Sequence, residues 1–134
     1  MSNIRPTPFL RNALLLDAAA SGATAILLIA GAGLLDGLLG LPVALMREAG
    51  LILVPFVGFV AWIGTRESLA RGAVTAIIAA NIVWVVASIC LLVGNWVAPT
   101  TLGYAFVLAQ AGAVALFAEL QYMGLRRQQD AVTA

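Results

Sequence analysis

The hydrophobic positions of this chain form long runs that are separated by short polar stretches. Four runs stand out, and they cover residues 12–34, 42–65, 72–94 and 101–125. Each run is long enough to supply the about 20 helical residues that cross a hydrocarbon core of about 30 Å. Because backbone N–H and C=O groups in hydrocarbon must bond within their own segment, each run predicts a helix. The pattern therefore predicts an all-α membrane protein, a four-helix transmembrane bundle that forms a single domain over residues 1–134.

The stretches between the runs carry residues that end and begin helices. "GAGLLDGLLGLP" has four glycines before Pro42, "TRESLAR" is a short charged turn, and "GNWVAPTT" follows the third run. Glycine and asparagine favour helix ends, while proline and threonine favour helix starts. Short connections make consecutive helices antiparallel neighbours, so the expected order is up-down-up-down. Similar small-residue patterns in the first and third runs also leave room for a duplicated hairpin, although shared composition alone gives such a likeness.

The arginines predict the orientation. With four spans, both termini and the middle turn share one side of the membrane. Six of the seven basic residues fall on that side, namely Arg5, Arg11, Arg66, Arg71, Arg126 and Arg127. Only Arg47 lies on the other side, next to Glu48. Cytoplasmic loops carry the excess of basic residues, so both termini are expected in the cytoplasm. The absence of lysine and the many alanines indicate a GC-rich bacterial genome, and hence a multi-pass protein of the bacterial inner membrane.

A cleaved signal peptide is the alternative for the first run. Arg5 and Arg11 precede the apolar residues, and the "AGAG" that follows them has the small residues of a cleavage site. However, the run is about twice as long as the apolar region of a signal peptide, and it contains Asp17. We therefore expect it to be a retained span.

Composition supports the membrane class and excludes several kinds of chemistry. The chain is 63% hydrophobic and 10% charged, whereas soluble domains carry about 25% charged residues. There is no histidine, and Cys90 is the single cysteine. An intramolecular disulfide, a zinc site of the usual Cys/His kind and a His-ligated haem are therefore excluded. The net charge of +1 gives no reason to expect nucleic acid as a partner. No catalytic residue, metal site or cofactor is predicted, and we expect that the protein is not an enzyme.

Polar residues inside the runs are the candidate functional residues. Asp17 lies six residues past Arg11, about 9 Å along a helix, and Glu119 lies seven residues before Arg126, about 10 Å. Because their helices run in opposite directions, both carboxylates are expected at one depth, in the cytoplasmic third of the membrane. Asn81 lies about 15 Å beyond the start of the third run, which places it near the midplane.

Helical spacing groups the remaining polar residues. On the first run, Asp17 shares a face with Ser21 and Thr24. On the third run, Asn81 shares a face with Trp84 and Ser88. On the fourth run, Glu119 shares a face with Gly112, Ala115 and Tyr122, while Gln110, Phe117 and Gln121 occupy the opposite face. A polar stripe on each of these three helices is expected to face inward. The candidate ligand or ion residues are Asp17, Ser21, Asn81, Trp84 and Glu119.

Two interpretations of these residues stay open. In the first, Arg11, Arg66 or Arg71 neutralises the carboxylates, and the other polar side chains bond across helices for about 0.6 kcal/mol each. In the second, Asp17 and Glu119 line a cavity that is open to the cytoplasm and binds a cation or exchanges a proton. The apolar outer stretch "GLLDGLLGLPVALMREAG" offers a similar choice, because it either covers the bundle end at the interface or acts as a ligand lid.

Several motifs resemble those of a group of small bacterial inner-membrane proteins with four predicted spans. They are "LRNALLLDAAASGA", "GLP", "REAGL", "NIVWVVAS", "PTTLGYAFVLAQA" and "FAELQYMGLRR", and together they cover nearly the whole chain. This resemblance implies the fold and implies no activity. The chain is also similar in shape to the small multidrug resistance transporters, where Asp17 would be the counterpart of a glutamate in the first helix. This first helix lacks aromatic residues after Phe9, and no site is transferred.

The expected function follows from the apolar spans and their small residues. We expect a structural or accessory membrane protein, which contacts the lipid bilayer and forms a homo-oligomer or joins a larger membrane complex through small-residue helix faces. The alternative is a small proton- or cation-coupled transporter that uses the intramembrane carboxylates.

Overall fold

Four long helices dominate the computed structural model, which describes residues 3–133 and the side-chain environments of residues 3–128. They are α1 (Pro8–Ala30), α3 (Val43–Gly64), α4 (Arg71–Val93) and α5 (Thr101–Thr133). A short helix α2 (Ala32–Leu39) and the two-residue strands β1 (Asn3–Ile4) and β2 (Leu69–Ala70) complete the described elements. The four long helices are apolar enough to cross a membrane, with mean hydropathies of 1.7 to 2.6 over their most apolar windows. The predicted all-helical class is confirmed, and each of the four predicted runs coincides with a helix that is long and apolar enough to cross a membrane.

The first span differs from its predicted bounds of 12–34. The helix α1 begins at Pro8 because Thr7 caps it, accepting a hydrogen bond of 3.2 Å from the backbone N–H of Leu10. It ends at Ala30, and Gly31 separates it from α2. The outer stretch that we expected to lie at the interface thus contains a helix of its own. At the other terminus, α5 continues past the predicted end at residue 125.

The long helices pack in two pairs. The most extensive packing joins α1 to α3 and α4 to α5, and the two pairs meet mainly through α1 and α5. By contrast, α3 and α4 barely touch. The order across the bundle is therefore α3, α1, α5 and α4, with a gap between the two outermost helices. This gap sets the position of the largest cavity described below.

Apolar side chains fill the interior and also cover much of the surface. One core cluster includes Leu10, Leu14, Val60 and Ile77, and a second lies around Met46 at the other end. Many large apolar residues are exposed, including Ile26, Leu34, Val83, Val93 and Trp96. Soluble monomers rarely expose contiguous apolar patches of this extent, whereas hydrocarbon is a suitable solvent for them.

The end of the bundle that holds α2 is closed by contacts between α2 and the α4–α5 connection. The Thr100 hydroxyl donates to the carbonyl of Leu38 at 2.7 Å, and the Thr100 backbone N–H donates to the carbonyl of Leu39 at 3.0 Å. Gly40 ends α2 with φ +69, and a Cβ at this position would lie 2.8 Å from the carbonyl oxygen of Ala98. Only glycine tolerates both this backbone conformation and this close approach.

The opposite end joins the start of α1 to the ends of α3 and α5. Arg11 donates to the carbonyls of Gly64 and Arg66 at 2.6 and 2.9 Å, so it satisfies backbone acceptors that the end of α3 leaves free. The Gln128 amide accepts from the Thr7 N–H at 3.2 Å and donates to the Arg5 carbonyl at 2.7 Å. The antiparallel pairing of β1 with β2 adds a further link at this end.

Candidate functional site

Asp17 is the centre of a buried polar network that joins three helices. Its side chain is 0% exposed. One carboxylate oxygen accepts from the Ser21 hydroxyl at 3.0 Å, one turn along α1. The other accepts from the Asn81 amide of α4 and from the Gln121 amide of α5, both at 2.8 Å. Asn81 also donates to the Gln121 carbonyl oxygen at 3.1 Å, which closes the network.

The donors to Asp17 are uncharged, which corrects one of the two interpretations of the sequence. Within residues 3–128, no arginine contributes a hydrogen bond to this carboxylate, and Arg11 contacts backbone carbonyls instead. An uncompensated carboxylate at the centre of a membrane helix costs about 2.5–3.5 kcal/mol. Three hydrogen bonds from neutral groups offset this cost, because they replace the hydrogen bonds to water that the buried carboxylate has lost.

The depth of Asn81 along the bundle axis, relative to Asp17, differs from the one expected. Counting from the start of its helix placed it near the midplane, deeper than Asp17. The structure brings the two side chains into direct contact at 2.8 Å, so they lie at the same level. The reason is the start of α1. Asp17 lies nine residues past Pro8, and Asn81 lies ten residues past Arg71 at the start of α4, so the two helices begin at nearly the same height, whereas the sequence count for Asp17 began at Arg11.

Glu119 is separate from this network. It is exposed, and it lines a shallow groove on the outer surface between α4 and α5. The face of α5 that points to Asp17 carries Gln121, two residues further along the helix. The second interpretation, in which Asp17 and Glu119 line one cavity, therefore does not agree with the positions of the two side chains.

Gln121 is a network residue that was not among the five candidates, although the sequence places it on the face of α5 opposite Glu119. A signal for it was present, because Gln110 and Gln121 are 11 residues apart, which is three helical turns, and so share one face of α5. Gln110 belongs to a second polar cluster with Trp84 and Ser88 of α4. Its amide accepts from the Trp84 indole N–H at 2.7 Å and donates to the Ser88 hydroxyl at 3.0 Å. The two glutamines thus connect α5 to its neighbours at two levels.

A cavity of about 550 Å³ lies beside the Asp17 network. All four long helices contribute to its lining, which includes Ser21, Phe56, Asn81, Trp84 and Phe117. Neither Asp17 nor Glu119 is among the lining residues. Of the five candidate residues, the structure therefore places Ser21, Asn81 and Trp84 at the cavity wall, Asp17 behind it and Glu119 on another surface.

Comparison of the chain with protein-family models, with curated proteins and with solved structures finds no significant match. The geometry of the described residues is therefore the basis of the functional proposal.

Proposed function

We propose that this protein is a small integral protein of the bacterial inner membrane, of structural or accessory type, which works by association and not by catalysis. Its four spans run up-down-up-down with both termini in the cytoplasm. It associates with a second copy of itself through the Glu119 groove, which we define by its lining residues Ile78, Ile82, Val85, Val86, Ala115, Ala118, Glu119 and Tyr122.

The exposure of Glu119 is the observation that carries this proposal. Its carboxylate lies within the apolar part of α5, and no described side chain of residues 3–128 bonds to it. Ionisable residues inside a membrane are rare and almost always face protein or water. A single copy leaves this carboxylate at a lipid-facing surface. A charged side chain costs about 2.5–3.5 kcal/mol at the centre of a membrane helix and less towards the interface, so a partner that supplies donors to Glu119 is favoured.

The chemistry of the groove suits a second copy. Tyr122 is three residues from Glu119, and its exposed phenol supplies a donor one turn from the acceptor. In a two-fold interface each contact occurs twice. Glu119 of one copy therefore meets Tyr122 of the other, and Tyr122 of the first copy meets Glu119 of the second. Arg126 lies over the Tyr122 ring at 5.7 Å, which brings a positive charge towards the same contact. The exposed, small Ala115 allows the backbones to approach closely.

Interfacial contacts support the proposed orientation. Arg66 lies 4.7 Å from the centre of the Trp62 ring, and Arg127 lies 4.7 Å from that of Phe9. Aromatic rings with cations at their faces are typical of the membrane–water boundary, and the arginine excess at this end favours the cytoplasmic side.

The transporter alternative receives less support from the geometry. A carrier needs carboxylates that a cation or proton can reach, but Asp17 is fully enclosed and Glu119 lies on a different surface. Their separation removes the shared site on which that hypothesis depended.

The test is self-association in lipid. Energy transfer between labelled copies, measured over a range of protein-to-lipid ratios, should reveal a dimer that Glu119→Ala weakens by about tenfold. Tyr122→Phe should weaken it as well, and the two changes should not be additive because they remove one contact. The matched controls are Glu67→Ala in the exposed turn and Tyr104→Phe near the other end of α5, and both should leave the dimer unchanged.

Results from two experiments would contradict the proposal. In the energy-transfer measurement, they are a monomer at every protein-to-lipid ratio or a dimer that Glu119→Ala leaves intact. The second experiment uses an Ile82→Cys crosslinking variant in a Cys90→Ser background. If that variant captures a different membrane protein and never a second copy, the groove serves a heterologous partner.

A further inference from the structure

The gap between α3 and α4 contains more space than the 550 Å³ cavity alone. A second cavity of about 250 Å³ adjoins it, and the two share lining residues from α1, α3, α4 and α5, namely Thr24, Ile52, Trp84, Ala87 and Gln110. The second cavity extends past Met46 to Glu48 near the start of α3. We call this continuous space the α3/α4 cleft. Ligand pockets typically measure about 300–1,000 Å³ and are mostly apolar with few polar groups, and the cleft meets both criteria.

Aromatic side chains from three helices line the cleft. Phe56 belongs to α3, Trp84 to α4 and Phe117 to α5. Aromatic rings bind other rings by offset or edge-to-face contacts, in addition to the area that they bury. Because α3 and α4 barely touch, a ligand can enter from the hydrocarbon between them. This lining favours a membrane-soluble molecule that contains a ring.

One polar atom of the lining lacks a partner in the protein. Asn81 is 3% exposed and lines the cleft. Its amide nitrogen donates to Asp17 at 2.8 Å and to Gln121 at 3.1 Å, whereas no described group donates to its Oδ1. Among residues 3–128 no enclosed side-chain oxygen or nitrogen is left without a bond, so this oxygen is open to the cleft.

The Asp17 network determines which end of the Asn81 amide faces the cleft. Turning the amide over would place Oδ1 against the carboxylate of Asp17 and the amide oxygen of Gln121, so three acceptors would meet. The polar hydrogens of the other groups nearby are already donated, while the hydroxyl oxygens of Ser21 and Thr24 add further acceptors. Trp84 donates to Gln110, and the Thr24 hydroxyl donates to the Ala20 carbonyl. The cleft therefore offers an acceptor, and a ligand that bears a hydroxyl donor matches it.

We propose that the α3/α4 cleft binds a membrane-soluble phenol, a hydroxylated aromatic ring on an apolar tail, whose hydroxyl donates to Oδ1 of Asn81. The ring lies among Phe56, Trp84 and Phe117, and the tail follows the second cavity towards Met46. The site is independent of the Glu119 groove, which uses other residues of α4, so either proposal can fail without the other.

The binding test uses two probes that differ only in the hydroxyl, para-nonylphenol and nonylbenzene. In nanodiscs of constant lipid composition, a Trp62→Phe/Trp96→Phe variant keeps Trp84 as the single tryptophan, and its emission reports on the cleft. We expect a saturable change in emission with para-nonylphenol, and an affinity about fivefold higher than that of nonylbenzene because only the phenol pairs the free acceptor. Equal affinities for the two probes would refute the role of Asn81.

A cleft-filling variant provides the structural control. Ala87 lines both cavities, so Ala87→Phe should abolish saturable binding of both probes without lowering the unfolding temperature. Ala79 is exposed on α4 and lines neither cavity, so Ala79→Phe should bind both probes like the parent chain. If Ala87→Phe binds as well as the parent, the probes dissolve in lipid around the bundle and the proposed site is wrong.

Discussion

Asn81 donates a hydrogen bond of 2.8 Å to Asp17, and this bond connects α4 to α1, two helices whose backbones do not pack closely. Gln121 of α5 bonds to both residues from the side. Hydrocarbon provides no hydrophobic force between helices, so such polar contacts and close packing hold the two helix pairs together.

We therefore expect Asp17→Ala to destabilise the bundle strongly. The change removes the acceptor for three donors and leaves the amides of Asn81 and Gln121 short of partners in a buried site. The free energy of unfolding in detergent micelles should fall by about 2–4 kcal/mol. Asp36→Ala, at an exposed position of α2, is the matched control and should change it by less than about 0.5 kcal/mol. Similar values for the two variants would contradict the structural role of Asp17.

Removing the whole network should cost less than removing Asp17 alone. In a triple variant, Asp17→Leu, Asn81→Leu and Gln121→Leu, only the Ser21 hydroxyl loses its partner, and in a helix it can donate to a backbone carbonyl one turn back instead. Replacing every member of a polar cluster by apolar groups can be nearly neutral, whereas removing one member leaves its partners unpaired. We expect the triple variant to be at least about 1 kcal/mol more stable than Asp17→Ala in the same unfolding measurement. A cost equal to the sum of the single changes would show that the three residues do not act together.

The two glutamines of α5 offer a matched comparison. Gln121 is 0% exposed and bonds to a carboxylate, while Gln110 is partly buried and bonds to neutral groups. Hydrogen bonds to charged groups contribute about 1.5–3 kcal/mol and neutral ones about 0.5–1.5. Gln121→Leu should therefore lower the free energy of unfolding more than Gln110→Leu. Only Gln110→Leu should shift the emission of Trp84, because it removes the partner of the indole N–H. If Gln110→Leu lowered the free energy of unfolding more than Gln121→Leu, the proposed role of Gln121 in the Asp17 network would be contradicted.

Two glycines at the end of the bundle that holds α2 test how this short helix is anchored. Gly40 has φ +69, and a side chain there would meet the backbone of residues 98–100. Gly37 lies inside α2 with nothing within 4 Å of an added Cβ. Gly40→Ala should destabilise this end by about 1–2 kcal/mol and increase the hydrogen exchange of α2, whereas Gly37→Ala should stabilise the helix by about 0.5–1 kcal/mol. If Gly40→Ala leaves the exchange rates unchanged, α2 is not anchored through this turn.

The orientation has a direct chemical test. Single cysteines at Ser68 and Ala98 in a Cys90→Ser background lie in the two exposed connections that precede α4 and α5. With both termini in the cytoplasm, a membrane-impermeant thiol reagent added to intact cells should label the cysteine at 98 and not the one at 68. Labelling of both positions from one side would exclude the four-span arrangement.

The sequence by itself determined the helices and their capacity to span a membrane. Helix formation in hydrocarbon depends on hydrogen bonds within each segment and on the length of each apolar run. Both can be read directly from the sequence. The bounds of α3, α4 and the start of α5 accordingly agree with the predicted runs within one residue. The start of α1 was misjudged because a cap at Thr7 outweighed the polar residues that follow it.

Only the tertiary structure decided which polar residues meet. Glu119 and Gln121 are two residues apart on α5, yet one faces outward and the other bonds to Asp17. Lipid is as apolar as a leucine side chain, so the hydropathy of a membrane helix does not indicate which face is buried. The cleft between α3 and α4 depends on offsets and angles between helices. Contacts distant in the sequence set those offsets, and no single run of residues encodes them.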